Sequence, residues 1–261
     1  MSLIRLLLIT YFAFSVLTVG ATAVPLYSVT KLPGDCPTCV FIPKGSNNVP
    51  DVVGYVSEAV PYPPYGRTVQ YSLKFTADGR TMRVNLPPPH PDWSSAVGIN
   101  DSGSIVGWWN VPDGRHCFVS VGDNTVDIGD LGKPTCEPTA INSKGEIVGT
   151  STRWLPDASG QQHAFLFSNN RMRDLGTLEG GNLSYAFGIN DQGWVIGVST
   201  AGIDHGNLYP FIYRRVSGVG LERLTILGTG IAGAINNSGW LTGVVGSRAF
   251  IYRYGASSLT Y

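Results

Sequence analysis

Four cysteines are the residues whose type and spacing most directly suggest chemistry: Cys36, Cys39, Cys117 and Cys136. The first two have the spacing of a thioredoxin redox motif or of half a zinc site. The redox motif needs a strand followed by a helix, and a zinc site needs a second pair with matching spacing; this sequence offers neither. We therefore expect two structural disulfides, Cys36–Cys39 and Cys117–Cys136, each closing a local loop.

Paired carboxylates are the next chemistry to consider. A glycoside hydrolase needs two acids about 5–10 Å apart, and Glu137 and Asp92 are the acids nearest to predicted strand starts. They fall in loops that do not correspond to one another. The nucleophile elbow Gly-x-Ser-x-Gly and the zinc helix His-Glu-x-x-His are both missing from the sequence. No catalytic residue is assigned, and a glycoside hydrolase with an unidentified acid pair stays open as an alternative.

Tryptophans are the third group, because their rings supply a flat stacking surface for a ligand. Trp93, Trp108, Trp109 and Trp154 lie in or beside the long loops of the predicted fold. We expect those loops to share one face of the molecule, where binding usually resides. These four residues are the candidate ligand-binding set, for a glycan or a protein ligand.

The composition decides which protein classes these residues could serve. Glycine accounts for 33 of 261 residues, charged residues for 14%, and the formal net charge is zero. Few charged helix formers argue against a helical bundle, and the 43% share of hydrophobic residues argues against disorder. A neutral chain lacks the basic surface that nucleic acid requires. The composition therefore indicates a β-rich protein with no nucleic-acid partner.

One phrase, Ile-Asn-x-x-Gly followed by a short apolar strand, occurs four times. Its asparagines are Asn100, Asn142, Asn190 and Asn236, which are 42, 48 and 46 residues apart. The asparagine and glycine predict a hairpin turn, and the apolar run predicts a strand buried on both faces. A glycine inside that strand indicates a bulge or a close approach of a neighbouring backbone.

Four antiparallel strands in each period of this length indicate a β-propeller. We predict an all-β propeller of about five four-stranded blades in a single domain, residues 24–261. The expected blades span residues 39–86, 96–131, 138–178, 186–227 and 232–261. The strand at 26–32 resembles a fourth strand, so it is expected to complete the last blade and close the ring. Long loops are expected at 57–67, 87–94, 109–115, 152–161 and 200–207.

Metal binding was weighed at the repeated position that holds His116 and His163. The same position holds Tyr71, Tyr209 and Arg248 in the other repeats. A position that accepts such different side chains predicts packing and hydrogen bonding rather than ligation. The turns also lack the alternating carboxylates of a calcium loop. We expect no metal and no cofactor.

The first 23 residues read as a signal peptide. An arginine precedes an apolar run, and Ala21-Thr22-Ala23 matches the small-residue pattern at which such peptides are cleaved. A retained N-terminal anchor is the alternative. No later apolar run is long enough to span a membrane. The mature chain is expected to be secreted or periplasmic, and monomeric.

The phrase His163-Ala164-Phe165, followed by Asp174-Leu175-Gly176, resembles the HAF repeat of probable extracellular bacterial proteins, as does the Ile-Asn-x-x-Gly phrase. The likeness covers roughly residues 94–254. The resemblance implies secretion and a repeated β fold, and it brings no catalytic residues. We therefore expect an exported non-catalytic binding or scaffold module; the alternatives are the glycoside hydrolase and a structural component of a surface assembly.

Overall fold

Antiparallel strands joined by short turns make up nearly all of the structure. The computed structural model describes residues 39–60, 67–87, 93–154, 160–202, 207–215 and 220–261. Within these ranges the regular elements are strands and one 3-10 helix, Thr225–Leu227. The prediction of an all-β protein is confirmed.

Consecutive strands pair into antiparallel meanders, which we call units 1 to 5. Unit 1 contains β1 (Cys39–Ser46), β2 (Val52–Val60), β3 (Arg67–Phe75) and β4 (Thr81–Arg83). Unit 2 contains β5 (Ser94–Ile99), β6 (Ile105–Val111), β7 (Gly114–Val121) and β8 (Asn124–Asp127). Unit 3 contains β9 (Gly132–Ile141), β10 (Ile147–Trp154), β11 (Gly160–Ser168) and β12 (Arg171–Asp174). Unit 4 contains β13 (Ser184–Ile189), β14 (Val195–Thr200), β15 (Leu208–Tyr213) and β16 (Leu221–Arg223). Unit 5 contains β17 (Ile231–Ile235), β18 (Trp240–Val245) and β19 (Arg248–Arg253).

Each repeated asparagine organises its own hairpin turn. In unit 4, the Oδ1 of Asn190 accepts hydrogen bonds from the backbone N–H groups of Gln192 and Trp194, at 3.1 and 2.9 Å. The glycine that follows has a positive φ of 75° at Gly193, as the turn prediction requires. Asn236 makes the same two bonds in unit 5, to Ser238 and Trp240.

The same side chains also join the units to one another. The Nδ2 of Asn100 donates to the backbone carbonyl of Asn142 at 3.0 Å. Asn142 donates in the same way to Asn190, and Asn190 to Asn236, at 3.0 and 3.1 Å. Asn47 of unit 1 donates to the carbonyl of Asn100 at 3.0 Å, although its turn does not carry the full phrase. We call this row of bonds the asparagine ladder.

The glycine within each second strand is needed because another backbone lies against it. A Cβ on Gly197 would come within 1.9 Å of the carbonyl oxygen of Tyr185. Strand β13 carries an irregularity at this point, between Ala186 and Gly188. The predicted bulge and the predicted close approach are therefore both present.

Buried side chains from successive units form the core between neighbouring sheets. Phe118, Phe165 and Phe211, which are equivalent in the repeat, are fully buried. Phe211 packs in one cluster with Val148 and Leu166 of the preceding unit. Each unit therefore depends on its neighbour for the burial of its apolar side chains.

C-terminal residues complete the last unit. Thr260 and Ile251 exchange two backbone hydrogen bonds of 3.1 and 2.8 Å, so the C-terminal residues occupy the fourth-strand position beside β19. The strand predicted to take this place, 26–32, lies outside the described residues. No strand of unit 1 pairs with a strand of unit 5 among the described strands, so these strands by themselves do not form a closed ring.

The ladder predicts unequal effects for two equivalent asparagines. Asn190→Ala should lower the free energy of unfolding by about 2 kcal/mol, because buried turn and inter-unit bonds are lost together. Asn236→Ala is the matched control: it loses the same two turn bonds but no bond to a following unit, and we expect about 1 kcal/mol. Urea unfolding followed by circular dichroism gives both values. Equal losses would contradict a role for the ladder in joining units.

Candidate functional site

A cleft of about 630 Å³ lies at the junctions of units 2, 3 and 4. It is bordered by the turn between β6 and β7 and by residues of β9, β10, β11 and β13. The side chains that concern its chemistry are Asn110, Asp113, Arg115, Glu137, Gln162 and Tyr185. Its size falls within the range of small-molecule sites, about 300–1,000 Å³.

Units 2 and 3 are fastened together directly beside the cleft. The Cys117–Cys136 disulfide joins β7 to β9, with 5.4 Å between the Cα atoms. A parallel bridge pairs Arg115 with Thr135 on the same two strands. Gly114, at a φ of 153°, allows the β6–β7 turn to approach β9, since a Cβ there would lie 2.0 Å from the carbonyl oxygen of Pro134. The cleft wall is therefore held by covalent and backbone contacts.

Arg115 is the cation of the cleft and has three partners. Its guanidinium forms an ion pair with the carboxylate of Glu137 on β9. It lies 4.2 Å from the centre of the Trp108 ring, which is within cation–π distance. Its Nε also donates to the Oδ1 of Asn110 at 3.3 Å. The guanidinium is thereby fixed in position from three sides.

A second contact crosses the next junction. The Tyr185 hydroxyl on β13 donates to the Oε1 of Gln162 on β11 at 2.8 Å. Gln162 occupies in unit 3 the position of Arg115 in unit 2, and Tyr185 occupies in unit 4 the position of Glu137 in unit 3. The two contacts are therefore the same contact of the repeat, made with different side chains.

His116 lies at the edge of the cleft between two carboxylates. Its Nδ1 is 2.6 Å from Asp127, and its Nε2 is 3.4 Å from Asp113. Burial lowers the pKa of His116, but the hydrogen bond and charge of Asp127, aided by Asp113, outweigh it, so the pKa is raised above its ordinary value. His163, buried in unit 3, pairs with Asp174 in the same way at 2.9 Å.

This histidine–aspartate pair belongs to a set present in every unit. The third strand of each unit supplies one partner and the fourth-strand position supplies the other. In units 2 and 3 the partners are a histidine and an aspartate. In units 1, 4 and 5 they are an arginine and a tyrosine, and the guanidinium lies over the tyrosine ring. The latter are Tyr71–Arg83, Tyr209–Arg223 and Arg248–Tyr261, at 4.5, 3.6 and 4.4 Å. The side chains at this position pack and form hydrogen bonds, as expected from the sequence. The sequence analysis did not identify their partners on the fourth strands.

The four candidate tryptophans have different surroundings. Trp108 lies beside the cleft, where its ring contacts Arg115. Trp109 is 4% exposed and packs against Phe118 in the core. Trp93 and Trp154 are 44% and 50% exposed. Trp108 therefore belongs to the surroundings of the cleft, and Trp109 belongs to the core.

The other sequence-based assignments have mixed outcomes. The Cys117–Cys136 disulfide is confirmed. Cys39 is also disulfide-bonded, while its expected partner Cys36 lies outside the described residues, as does Asp92. Glu137 is in the cleft, paired with Arg115. Gln162 and Tyr185 were not foreseen, because no local pattern shows that strands of three units meet there.

In the ranges described above, no helix is long and apolar enough to cross a bilayer. In those same ranges, no group of three or more His, Cys, Asp and Glu side chains is placed to hold a metal ion. The predicted signal peptide, 1–23, lies outside these ranges.

No protein-family model and no curated protein matches the chain. Solved structures do match it. Dipeptidyl peptidase 4 of Porphyromonas gingivalis is 12% identical with a TM-score of 0.50, covering 80% of this chain and 35% of the peptidase. A Hadza microbial sialidase is 10% identical with a TM-score of 0.44, covering 84% of this chain and 57% of the sialidase.

A third similar structure is the β-propeller domain of the Trilobed protease from Pyrococcus furiosus, described as having an open velcro topology. It is 8% identical with a TM-score of 0.42, covering 86% of this chain and 83% of that domain. The chain thus spans about a third of the peptidase and little more than half of the sialidase. At these identities the likeness concerns the fold: the chain is all-β with propeller-like structural neighbours.

The raised pKa of His116 predicts a pH-dependent contribution to stability. A raised folded-state pKa stabilises the fold fully below the unfolded-state value of about 6.5, and the gain is lost as the pH rises through the folded-state value. The stability difference between the native chain and His116→Gln should therefore be larger near pH 6 than near pH 8. Urea unfolding across this range measures it.

Asp127→Asn is the matched variant, because it removes the anion that raises the histidine pKa. The pH dependence assigned to His116 should shrink in this background. Curves for the native chain and His116→Gln that run parallel across the range would show that the charge on His116 does not stabilise the fold.

Proposed function

We propose that this chain is an exported, non-catalytic binding or scaffold module whose ligand binds in the cleft of units 2, 3 and 4. The observation that carries the proposal is the row of paired polar side chains across two junctions: Arg115 with Glu137, and Gln162 with Tyr185. All four stand on strands rather than on free loops. Side chains fixed on rigid elements in a concave site suit the recognition of a ligand.

The cleft carboxylates support binding more than hydrolysis. A glycoside hydrolase needs one carboxylic acid that gives its proton to the leaving group. Glu137 lies against the Arg115 guanidinium, and Asp113 lies 3.4 Å from His116. Carboxylates held by cations are hydrogen-bond acceptors. The hydrolase remains the alternative outcome of the binding experiment below.

Export rests on the signal-peptide pattern of residues 1–23. The Cys117–Cys136 disulfide is compatible with an oxidising compartment, the periplasm or the exterior. The recurrence of the Asn-x-x-Gly hairpin with the same bonds in units 2 to 5 supports membership of the HAF repeat family. The proposed architecture is five propeller blades, one for each unit.

A component of a surface assembly is the second candidate, and one observation favours it. Unit 5 exposes apolar side chains that none of the described units covers: Ile231 at 50%, Val244 at 45% and Trp240 at 38%. The Nδ2 of Asn236 has no hydrogen-bond partner among the described residues. A sheet face of this kind is suited to contact with another protein surface.

The binding proposal predicts a split between two variants. Arg115→Ala should reduce, at least tenfold, the retention of the purified chain on insoluble polysaccharides that the native chain binds. The reason is that the cleft loses its central cation. Arg171→Ala, which removes an exposed arginine outside the cleft, should leave retention unchanged. Pull-down with a panel of insoluble polysaccharides measures retention, and reducing-sugar release is assayed in parallel.

Sugar release that Glu137→Gln abolishes would replace the binding module by the hydrolase. Equal retention of both variants on every polysaccharide that the native chain binds would remove the cleft as the binding site.

Closure of the ring by residues 26–32 predicts the effect of two truncations. Deleting residues 24–33 from the mature chain should lower the melting temperature and broaden the transition, since the ring would lose the strand proposed to connect its last unit to its first. Deleting residues 258–261, which include the observed partner of Ile251, is the comparison. Thermal unfolding followed by circular dichroism gives the melting temperatures of the two truncated chains.

An unchanged transition in the first deletion would contradict closure by the N-terminal strand. Size-exclusion chromatography of the native chain at rising concentration separates the remaining cases. A constant monomer supports closure, and association that Trp240→Glu abolishes supports the surface assembly.

A further inference from the structure

The charges of the cleft nearly cancel, and this restricts the ligands that suit it. Arg115 is the cation that lines the cleft, and it is ion-paired with Glu137. Its remaining contacts are the Trp108 ring and the Oδ1 of Asn110. A ligand carboxylate or sulfate that bound the guanidinium would share this cation with the Glu137 carboxylate. It would therefore place its own negative charge beside that carboxylate.

Asp113 adds a second negative charge at the same rim. It is 68% exposed, and its neighbour His116 also pairs with Asp127. Two carboxylates against one permanent cation give the lining a net negative balance at neutral pH. Like charges repel, so this balance disfavours an acidic ligand.

The other polar groups of the cleft are uncharged. They comprise two amides, two threonine side chains and one phenol, from Asn110, Gln162, Thr135, Thr150 and Tyr185. Amides and hydroxyls both donate and accept hydrogen bonds, whereas carboxylates only accept. The Oε1 of Gln162 accepts a hydrogen bond from the Tyr185 hydroxyl. The amide nitrogen of Gln162 has no hydrogen-bond partner among the described residues. Such a mixture matches a ligand rich in hydroxyl groups, each of which also donates and accepts.

The size of the cleft is that of a site for a small ligand. Its volume of about 630 Å³ falls within the range of about 300–1,000 Å³ for small-molecule sites. We propose that the ligand of this cleft is an uncharged, hydroxyl-rich glycan, a statement that rests on the proposed binding function. Glu137 then has two roles: it accepts hydrogen bonds from sugar hydroxyls, and it neutralises Arg115 so that acidic glycans are rejected.

The test compares neutral and acidic oligosaccharides of equal length by isothermal titration calorimetry with the full mature chain. The probes are neutral gluco-, galacto- and manno-oligosaccharides and oligogalacturonates. The native chain should bind at least one neutral series at least tenfold more tightly than the acidic series. Glu137→Gln frees Arg115, so the preference should fall or reverse: neutral binding weakens and acidic binding strengthens.

Two further variants keep the test clear of folding effects. Tyr185→Phe removes only the hydroxyl that engages Gln162, and it should weaken neutral binding without changing the response to acidic probes. Glu179→Gln removes a carboxylate that does not line the cleft, and it should leave the preference unchanged. The melting temperature of each variant shows that it is folded.

The outcomes separate the two proposals. Tighter binding of the acidic series by the native chain overturns the neutral-glycan inference and leaves a binding cleft in place. Binding of neutral probes that none of the cleft variants alters overturns both proposals. If no oligosaccharide binds, the neutral-glycan inference is overturned. The polysaccharide pull-down then decides whether the cleft binds a ligand: retention that is lost in Arg115→Ala supports the binding cleft, and retention that is unchanged contradicts it.

Discussion

The hydrogen bond from one repeated asparagine to the next, as at Asn100, Asn142 and Asn190, is the interaction on which the arrangement depends. One side chain has two tasks: its oxygen closes a hairpin, and its nitrogen donates to the carbonyl of the following asparagine. Asn142 and Asn190 are almost fully buried, where an unpaired amide would be costly. A unit thus completes its own turn and fixes its neighbour with one residue, so the turn phrase recurs while the loops vary.

The pair between third and fourth strands shows a different kind of constraint. The first partner changes from Tyr71 to His163 to Arg248, and the second changes with it, to Arg83, Asp174 and Tyr261. What persists is an attractive contact between two side chains on adjacent strands, either a histidine–aspartate hydrogen bond or a cation over a ring. The residue type at one of the two positions can therefore vary, provided that the residue at the other position complements it.

The cleft arises where the repeat is least regular. Arg115, Gln162 and Leu208 are equivalent positions on third strands, and they face Glu137, Tyr185 and Ile231 on the next first strands. The contact between these positions is ionic at one junction and polar at the next. At the third junction both residues are apolar and exposed, Leu208 at 36% and Ile231 at 50%. A uniform scaffold therefore presents a different surface at each junction, and the polar part forms the candidate site.

The sequence by itself determined the all-β fold, the hairpin at each repeated asparagine, the glycine in each second strand and the Cys117–Cys136 bridge. These features depend on local backbone geometry or on short spacings, which a single sequence displays. Only the tertiary structure decided that Trp109 is buried while Trp108 supports Arg115, that Thr260 takes the place beside Ile251, and that Gln162 meets Tyr185. These contacts join strands of different units or distant ends of the chain. Their partners are selected by how the sheets pack, which no local pattern encodes.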